Sequence, residues 1–191
     1  MTTTTDLNRL LWQERAAGDA SRPWESLTVE PAGLAENPVE LPGGLGLWLR
    51  PPGAPEDRVL LAVHGGGFVS GSISTHRRMF GHLALAAGMA ALVVEYGLVP
   101  EHVYPAQLDQ VSGAYQTVAG QRVAVVGDSC GGTLALGLAL RAQEAGCLAP
   151  GVELDEFPGQ LHTFQMAAGR SPAADDAIAR AGVWLRRTLD S

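Results

Sequence analysis

Three short runs of the chain are apolar without interruption: LLAV at 60–63, ALVV at 91–94 and VAVV at 123–126. A strand with one wet face alternates apolar and polar residues, so unbroken runs of this length predict strands covered on both faces. The segments between and after them, THRRMFGHLALAAG (75–88), PAQLDQVSGAYQTVAG (105–120) and SCGGTLALGLALRAQEAG (129–146), have the length and composition of helices. VELDEF (152–157) and SPAADDAIARAGVWLRRTL (171–189) extend the pattern by a further strand and a last helix. Strands alternating with helices predict an α/β fold, a mostly parallel sheet flanked by helices. Upstream, VELPGGLGLWLRPP (39–52) predicts two short strands around a Gly-rich turn. A helix is expected over 6–17, inside a flank of residues 1–37 that is too short to be a domain of its own.

The length of 191 residues fits one domain, 1–191, able to bury roughly two thirds of its unfolded surface. The net charge of −7, with basic residues clustered no further than pairs such as Arg77-Arg78, argues against nucleic acid as a partner. The N-terminal MTTTTDLNRLLWQERAAGDA has no apolar core for a secretion signal. The longest uncharged apolar run, LALAAGMAALVV at 83–94, is shorter than the ~20 residues a membrane span needs. A soluble, cytoplasmic protein without a membrane partner is expected. Cys130 and Cys147 fall at opposite ends of one predicted helix, about 25 Å apart at ~1.5 Å per residue, so no disulfide should join them.

In parallel sheets ligands bind beyond the carboxyl ends of the strands. Those ends here carry HGGGF (64–68), EYGLVPEH (95–102), GDSCGG (127–132) and PGQLH (158–162). Gly127-Asp128-Ser129-Cys130-Gly131 matches G-x-S-x-G between a β-branched strand and an apolar helix. That context makes Ser129 a nucleophile held out on a strained strand-to-helix turn, rather than part of an ordinary glycine-rich loop. Neither phosphate-loop pattern, G-x-x-x-x-G-K-[ST] or G-x-G-x-x-G, is present. The glycines after His64 can turn backbone N–H groups toward one point, as a developing oxyanion requires. His76, His82 and His102 lack metal-ligand spacing and read as solvated or locally hydrogen-bonded, so no metal is expected.

HGGGF, GSISTHRRMF, EYGLVPEHVYPAQLDQ, GDSCGG and PGQLHTF, in this order, resemble the bacterial hormone-sensitive-lipase-like (family IV) esterases of the α/β-hydrolase fold. Within them the similarity is to carboxylesterases and lactone hydrolases bearing YRLAPEHPFPA and GDSAGG, and it runs from about Val39 onward. The resemblance implies Ser129 as nucleophile and His162 as general base, with Gly66, Gly67 and the Cys130 N–H as oxyanion donors. It also implies short acyl esters or lactones as substrates, and no cofactor. The family builds a cap from N-terminal residues, so Trp12 and Trp24 belong either to a substrate entrance or to ordinary packing, and 1–37 reads as a flank or cap remnant. Gly97 stands for the usual Arg, Glu95 for Asp and Cys130 for Ala; His64 is expected to be structural.

The acid of the triad should lie between serine and histidine, after its own strand. His162 follows Ser129 by only 33 residues, of which the helix takes about 17. A separate acid-bearing strand with its crossover, a dozen or more residues, does not fit. Strand count and cap are therefore both expected to be reduced. A substitute acid would have to come from VELDEF, with Asp155 and Glu156 nearest the useful end; Asp128 should point away. Two readings stand: an ester hydrolase working through an acyl-enzyme and weakened by the lost acid, or a non-catalytic small-molecule binder or relic of the same fold. The missing strands would also leave a sheet edge open to pairing, hence a homodimer.

Overall fold

The computed structural model describes residues 4–19, 21–146, 151 and 153–190. Its single sheet has the order β1-β2-β4-β3-β5. The expected hairpin is present as β1 (Ala35–Leu41) and β2 (Gly44–Arg50), antiparallel and joined by a tight turn at Pro42 and Gly43. Pro38 is accommodated because β1 lies at the sheet edge, where a missing N–H breaks no ladder. β3 (Arg58–Val63), β4 (Ala90–Val94) and β5 (Arg122–Gly127) run parallel, and β2 joins them antiparallel to β4.

Alternate residues of β3 and β4 feed two cores. Leu60, Ala62, Ala91 and Val93 face α2 (Ile73–Ala87) and α5 (Pro172–Asp190), to which α1 (Thr4–Ala16) adds Leu11. Val59, Leu61, Val63, Leu92 and Val94 face α3 (Ala106–Gln116) and α4 (Cys130–Glu144). This two-sided cover is why the runs LLAV and ALVV need no polar residue; the third run, VAVV of β5, was expected to be covered alike but is only half-buried, because β5 lies at the sheet edge. α2 starts where Ser72 and Thr75 form a reciprocal capping box, and it stops at Gly88 in the left-handed conformation.

One expected element is absent. Glu153 to Phe157, the described part of the anticipated VELDEF strand, form no strand. Their carboxylates bind α5 instead: Glu153 to Arg187 at 2.9 Å and Asp155 to Arg180 at 3.0 Å. The segment therefore crosses the open side of the sheet without joining it. β5 consequently pairs only with β3 among the described residues and has an open outer edge. A cavity of about 990 Å³ runs along that edge, between α4 and α5, lined by Val126, Ala135, Leu136, Ile178 and Trp184. Of the two cysteines expected to stay unpaired, Cys147 lies outside the described residues; Cys130 is free and buried. No helix among the described residues is long and apolar enough to cross a membrane.

Candidate active site

Ser129 sits between the last residue pair of β5 and the first turn of α4, with φ 50° and ψ −122°. A non-glycine residue in this region is strained, and the strain persists because strand and helix are both anchored by their cores. Gly131 allows the turn to be so tight: a Cβ there would lie 2.2 Å from the Val63 carbonyl oxygen. The side chain of Ser129 is thereby left exposed at the sheet's carboxyl end.

The HGGG loop leaves the neighbouring strand β3 beside it. Its first residues are pinned by three hydrogen bonds. Tyr96 donates its hydroxyl to the His64 carbonyl at 2.8 Å, His64 donates from Nδ1 to the Gly65 carbonyl at 2.8 Å, and the Gly65 N–H donates to Asp128 Oδ1 at 2.8 Å. The amides of Gly66, Gly67 and Cys130 donate to no acceptor among the described residues. Three free N–H groups at adjoining strand ends, one of them at a helix N-terminus, are what an oxyanion needs. Cys130 matters here through its backbone, since its thiol is buried 3.6 Å from the Tyr96 hydroxyl.

Behind this loop His64 is fully buried and stacked on Tyr96 at 4.2 Å between ring centroids. Burial disfavours its charged form and pushes its pKa down to about 4. Glu95, 3.7 Å from His64 Nε2, is pushed upward by burial while its other oxygen accepts the Ile73 N–H at 2.8 Å. Gly97 is explained by contact: a Cβ there would stand 2.2 Å from the His102 ring.

His162 Nε2 lies 2.9 Å from Ser129 Oγ, so the two residues meet across 33 positions of sequence. Both are exposed. Among the described residues no carboxylate bonds the other nitrogen of His162: Asp155 is held by Arg180 at 3.0 and 3.1 Å, and exposed Glu156 makes no hydrogen bond or ion pair. Asp128 turns away from the serine, toward the HGGG loop and His76, as its place beside the elbow implies. Of the two alternatives the sequence left open for His76, solvated or locally hydrogen-bonded, the second holds, and the residue is buried. Its Nδ1 meets Thr75 Oγ1 at 2.7 Å and its Nε2 stands 3.4 Å from Asp128. Nothing in the sequence marks this contact, because Asp128 and His76 sit on different elements.

The Ser129–His162 pair stands at the junction of two cavities. One is the trough along β5; the other, about 310 Å³, is walled by Trp12, Trp24, Gly66, Gly67 and Met166. Trp12 approaches His162 with ring centroids 6.2 Å apart and meets Trp24 edge-on at 5.1 Å.

The chain is 36% identical over 118 residues to an esterase of Acinetobacter venetianus, covering 59% of this chain and 39% of that one. It is 32% identical over 171 residues to the carboxylesterase/phospholipase LipF of Mycobacterium tuberculosis, covering 81% and 45%. The chain thus spans less than half the length of these curated relatives. A crystal structure of an esterase from the bacterial hormone-sensitive lipase family superimposes with a TM-score of 0.80 at 22% identity, covering 99% of this chain and 100% of that one. A model of the α/β-hydrolase fold matches residues 60–183, from β3 through most of α5. The chain therefore belongs to the α/β-hydrolase fold family, with its similarity concentrated in the family's esterases and hormone-sensitive-lipase-like members.

Proposed function

We propose that the chain is a serine carboxylic-ester hydrolase acting on short acyl esters or lactones through an acyl-enzyme. The observation that carries this reading is the 2.9 Å contact between His162 Nε2 and Ser129 Oγ beside three free backbone amides. Ser129 Oγ attacks the ester carbonyl carbon while His162 takes its proton, and the carbonyl oxygen becomes an oxyanion facing the N–H groups of Gly66, Gly67 and Cys130. The tetrahedral adduct collapses, His162 passes the proton to the departing alkoxide, and the alcohol leaves. Water then attacks the acyl-serine with His162 as base, releasing the carboxylic acid and restoring Ser129.

The histidine without a carboxylate partner lowers the rate. Loss of the triad acid in serine hydrolases costs roughly 10⁴-fold in kcat, leaving oxyanion stabilisation and binding as the remaining catalysis. The same observation favours a second reading, a small-molecule-binding or relic member of the fold. The stretch ahead of β1, read from the sequence as a flank or cap remnant over 1–37, ends at β1 from Ala35 onward, and in either case its Trp12 and Trp24 stand on the wall of the smaller cavity.

The separating experiment is a stopped-flow time course with p-nitrophenyl butyrate, run beside Ser129→Ala. Sustained release of p-nitrophenol that vanishes in the variant supports the hydrolase, and Asp155→Ala and Glu156→Ala then identify any carboxylate that assists. A single Ser129-dependent burst, or no release, supports the binder. We propose further that the protein works as a homodimer, two copies pairing through the open edge of β5, and that it resides in the cytoplasm, where the Cys130 thiol stays reduced; cell fractionation tests the location.

A further inference from the structure

The carboxylate next to the nucleophile does not face the catalytic histidine, and its contacts give it a different task. Asp128 Oδ1 accepts the Gly65 N–H at 2.8 Å, and Asp128 Oδ2 stands 3.4 Å from Nε2 of buried His76 on α2. His76 is fixed from its other side by Thr75 Oγ1 at 2.7 Å, and Thr75 belongs to the capping box of α2. The fit at Gly65 is close: a Cβ there would lie 2.2 Å from Asp128 Oδ2 and 3.0 Å from the Asp128 carbonyl oxygen. One side chain thus joins three elements, the elbow, the HGGG loop and the first turn of α2.

The geometry points to Asp128 and His76 as a positioning pair that holds the oxyanion loop in register with Ser129. This inference rests on the reading of Ser129 as nucleophile. Gly66 and Gly67 carry two of the three free amides, and they follow directly on the residue that Asp128 holds. Glycines have wide conformational freedom, so the aim of these amides depends on what fixes the loop at its start. Cys130, bearing the third amide, adjoins the same elbow from the other side of Ser129. Asp128 therefore sets the spacing between the donors of the loop and the donor of the helix. Because catalytic donors act only when correctly placed, loosening this contact lowers stabilisation of the oxyanion.

The test is the second-order rate at which a p-nitrophenyl alkylphosphonate labels Ser129, followed by p-nitrophenol release. In phosphonylation Ser129 Oγ attacks phosphorus as His162 takes its proton, the P–O bond to p-nitrophenolate breaks, and the phosphoryl oxygen carries the developing charge in the same hole; no turnover is required. Asp128→Ala is expected to slow labelling about 100-fold, the scale of losing one oxyanion donor, with the midpoint of thermal unfolding measured alongside. Asp128→Asn keeps an oxygen for the Gly65 N–H and an amide toward His76, and is expected to recover the rate to within about tenfold of wild type. His76→Ala should fall between the two. If the ester is turned over, the loss in Asp128→Ala should appear in kcat with KM little changed.

Equal labelling rates in wild type and Asp128→Ala would overturn the positioning role while leaving the nucleophile in place. So would a slow Asp128→Asn, since that shape-preserving change would then have shown the effect to be general rather than local. Failure of the wild type to label at Ser129 would instead remove the nucleophile reading, and this inference with it.

Discussion

His64 is an imidazole with no exposed surface, one nitrogen bonded to the Gly65 carbonyl and the other without a hydrogen-bond partner among the described residues. Its pKa is lowered from 6.5 to about 4 by burial, so between those values the unfolded chain binds a proton that the folded chain refuses. Its contribution to stability is fully present above pH 6.5 and is lost as pH falls toward 4, by about 3 kcal/mol in all. Glu95 acts in the opposite sense: its raised pKa favours the folded state at lower pH. Urea unfolding of wild type and His64→Gln at several pH values from 4 to 7 separates the two. The variant should lose overall stability but show a flatter or reversed dependence on pH; an unchanged slope would mean His64 does not titrate this way. His64, Ser129 and Gly131 were each legible from the motifs that hold them. The burial of His76 and its approach to Asp128 were not, because a histidine in a helix looks the same whether it faces water or a carboxylate from another strand.

At the scale of elements, α5 carries much of the structure on one face of the sheet. Ile178 and Leu185 enter the core, while Arg180 and Arg187 hold the segment that leads to His162. α5 meets α2 so closely that a Cβ on Gly182 would stand 2.7 Å from the backbone of Ala86. Gly182→Ala should therefore destabilise the protein by about 1–3 kcal/mol through overpacking, although alanine is intrinsically the better helix former. Denaturant titration measures this, and a stabilised variant would show that the two helices can separate without loss. The segment 153–157 marks the limit of local reading. Its Glu153-Leu154-Asp155 alternation is strand-like, but a strand needs a neighbour's ladder, and here the carboxylates pair with arginines on α5 instead.

At the scale of the molecule, the sheet ends abruptly at β5. Beside that edge α4 leaves Leu136 and Leu140 64% and 61% exposed, one turn apart on the same side. A helix apolar on nearly all faces is usually covered on all of them, and an unpaired strand next to it is a template for another chain. A two-fold axis through paired β5 edges would bring α4 of one copy beside α4 of the other and bury both leucines. Light scattering across a range of protein concentrations should show a dimer, and Leu136→Glu with Leu140→Glu should shift it to monomer. A monomer at every concentration would count against the pairing.

By itself the sequence determined the α/β class, the hairpin, the three parallel strands and the two motif-bearing turns, because these follow from local apolar periodicity and from glycines at turns; it overstated the cover of β5, whose Val123 to Val126 are only half-buried. It also located Ser129 and His162 and the shortness of the chain between them. Only the tertiary structure decided that the two side chains meet at 2.9 Å, that Asp155 goes to Arg180 rather than to His162, and that Asp128 accepts the Gly65 N–H. Those outcomes depend on which elements pack together and on competition among many possible ion pairs. Such competition is settled by distance in three dimensions, which residue order does not encode locally.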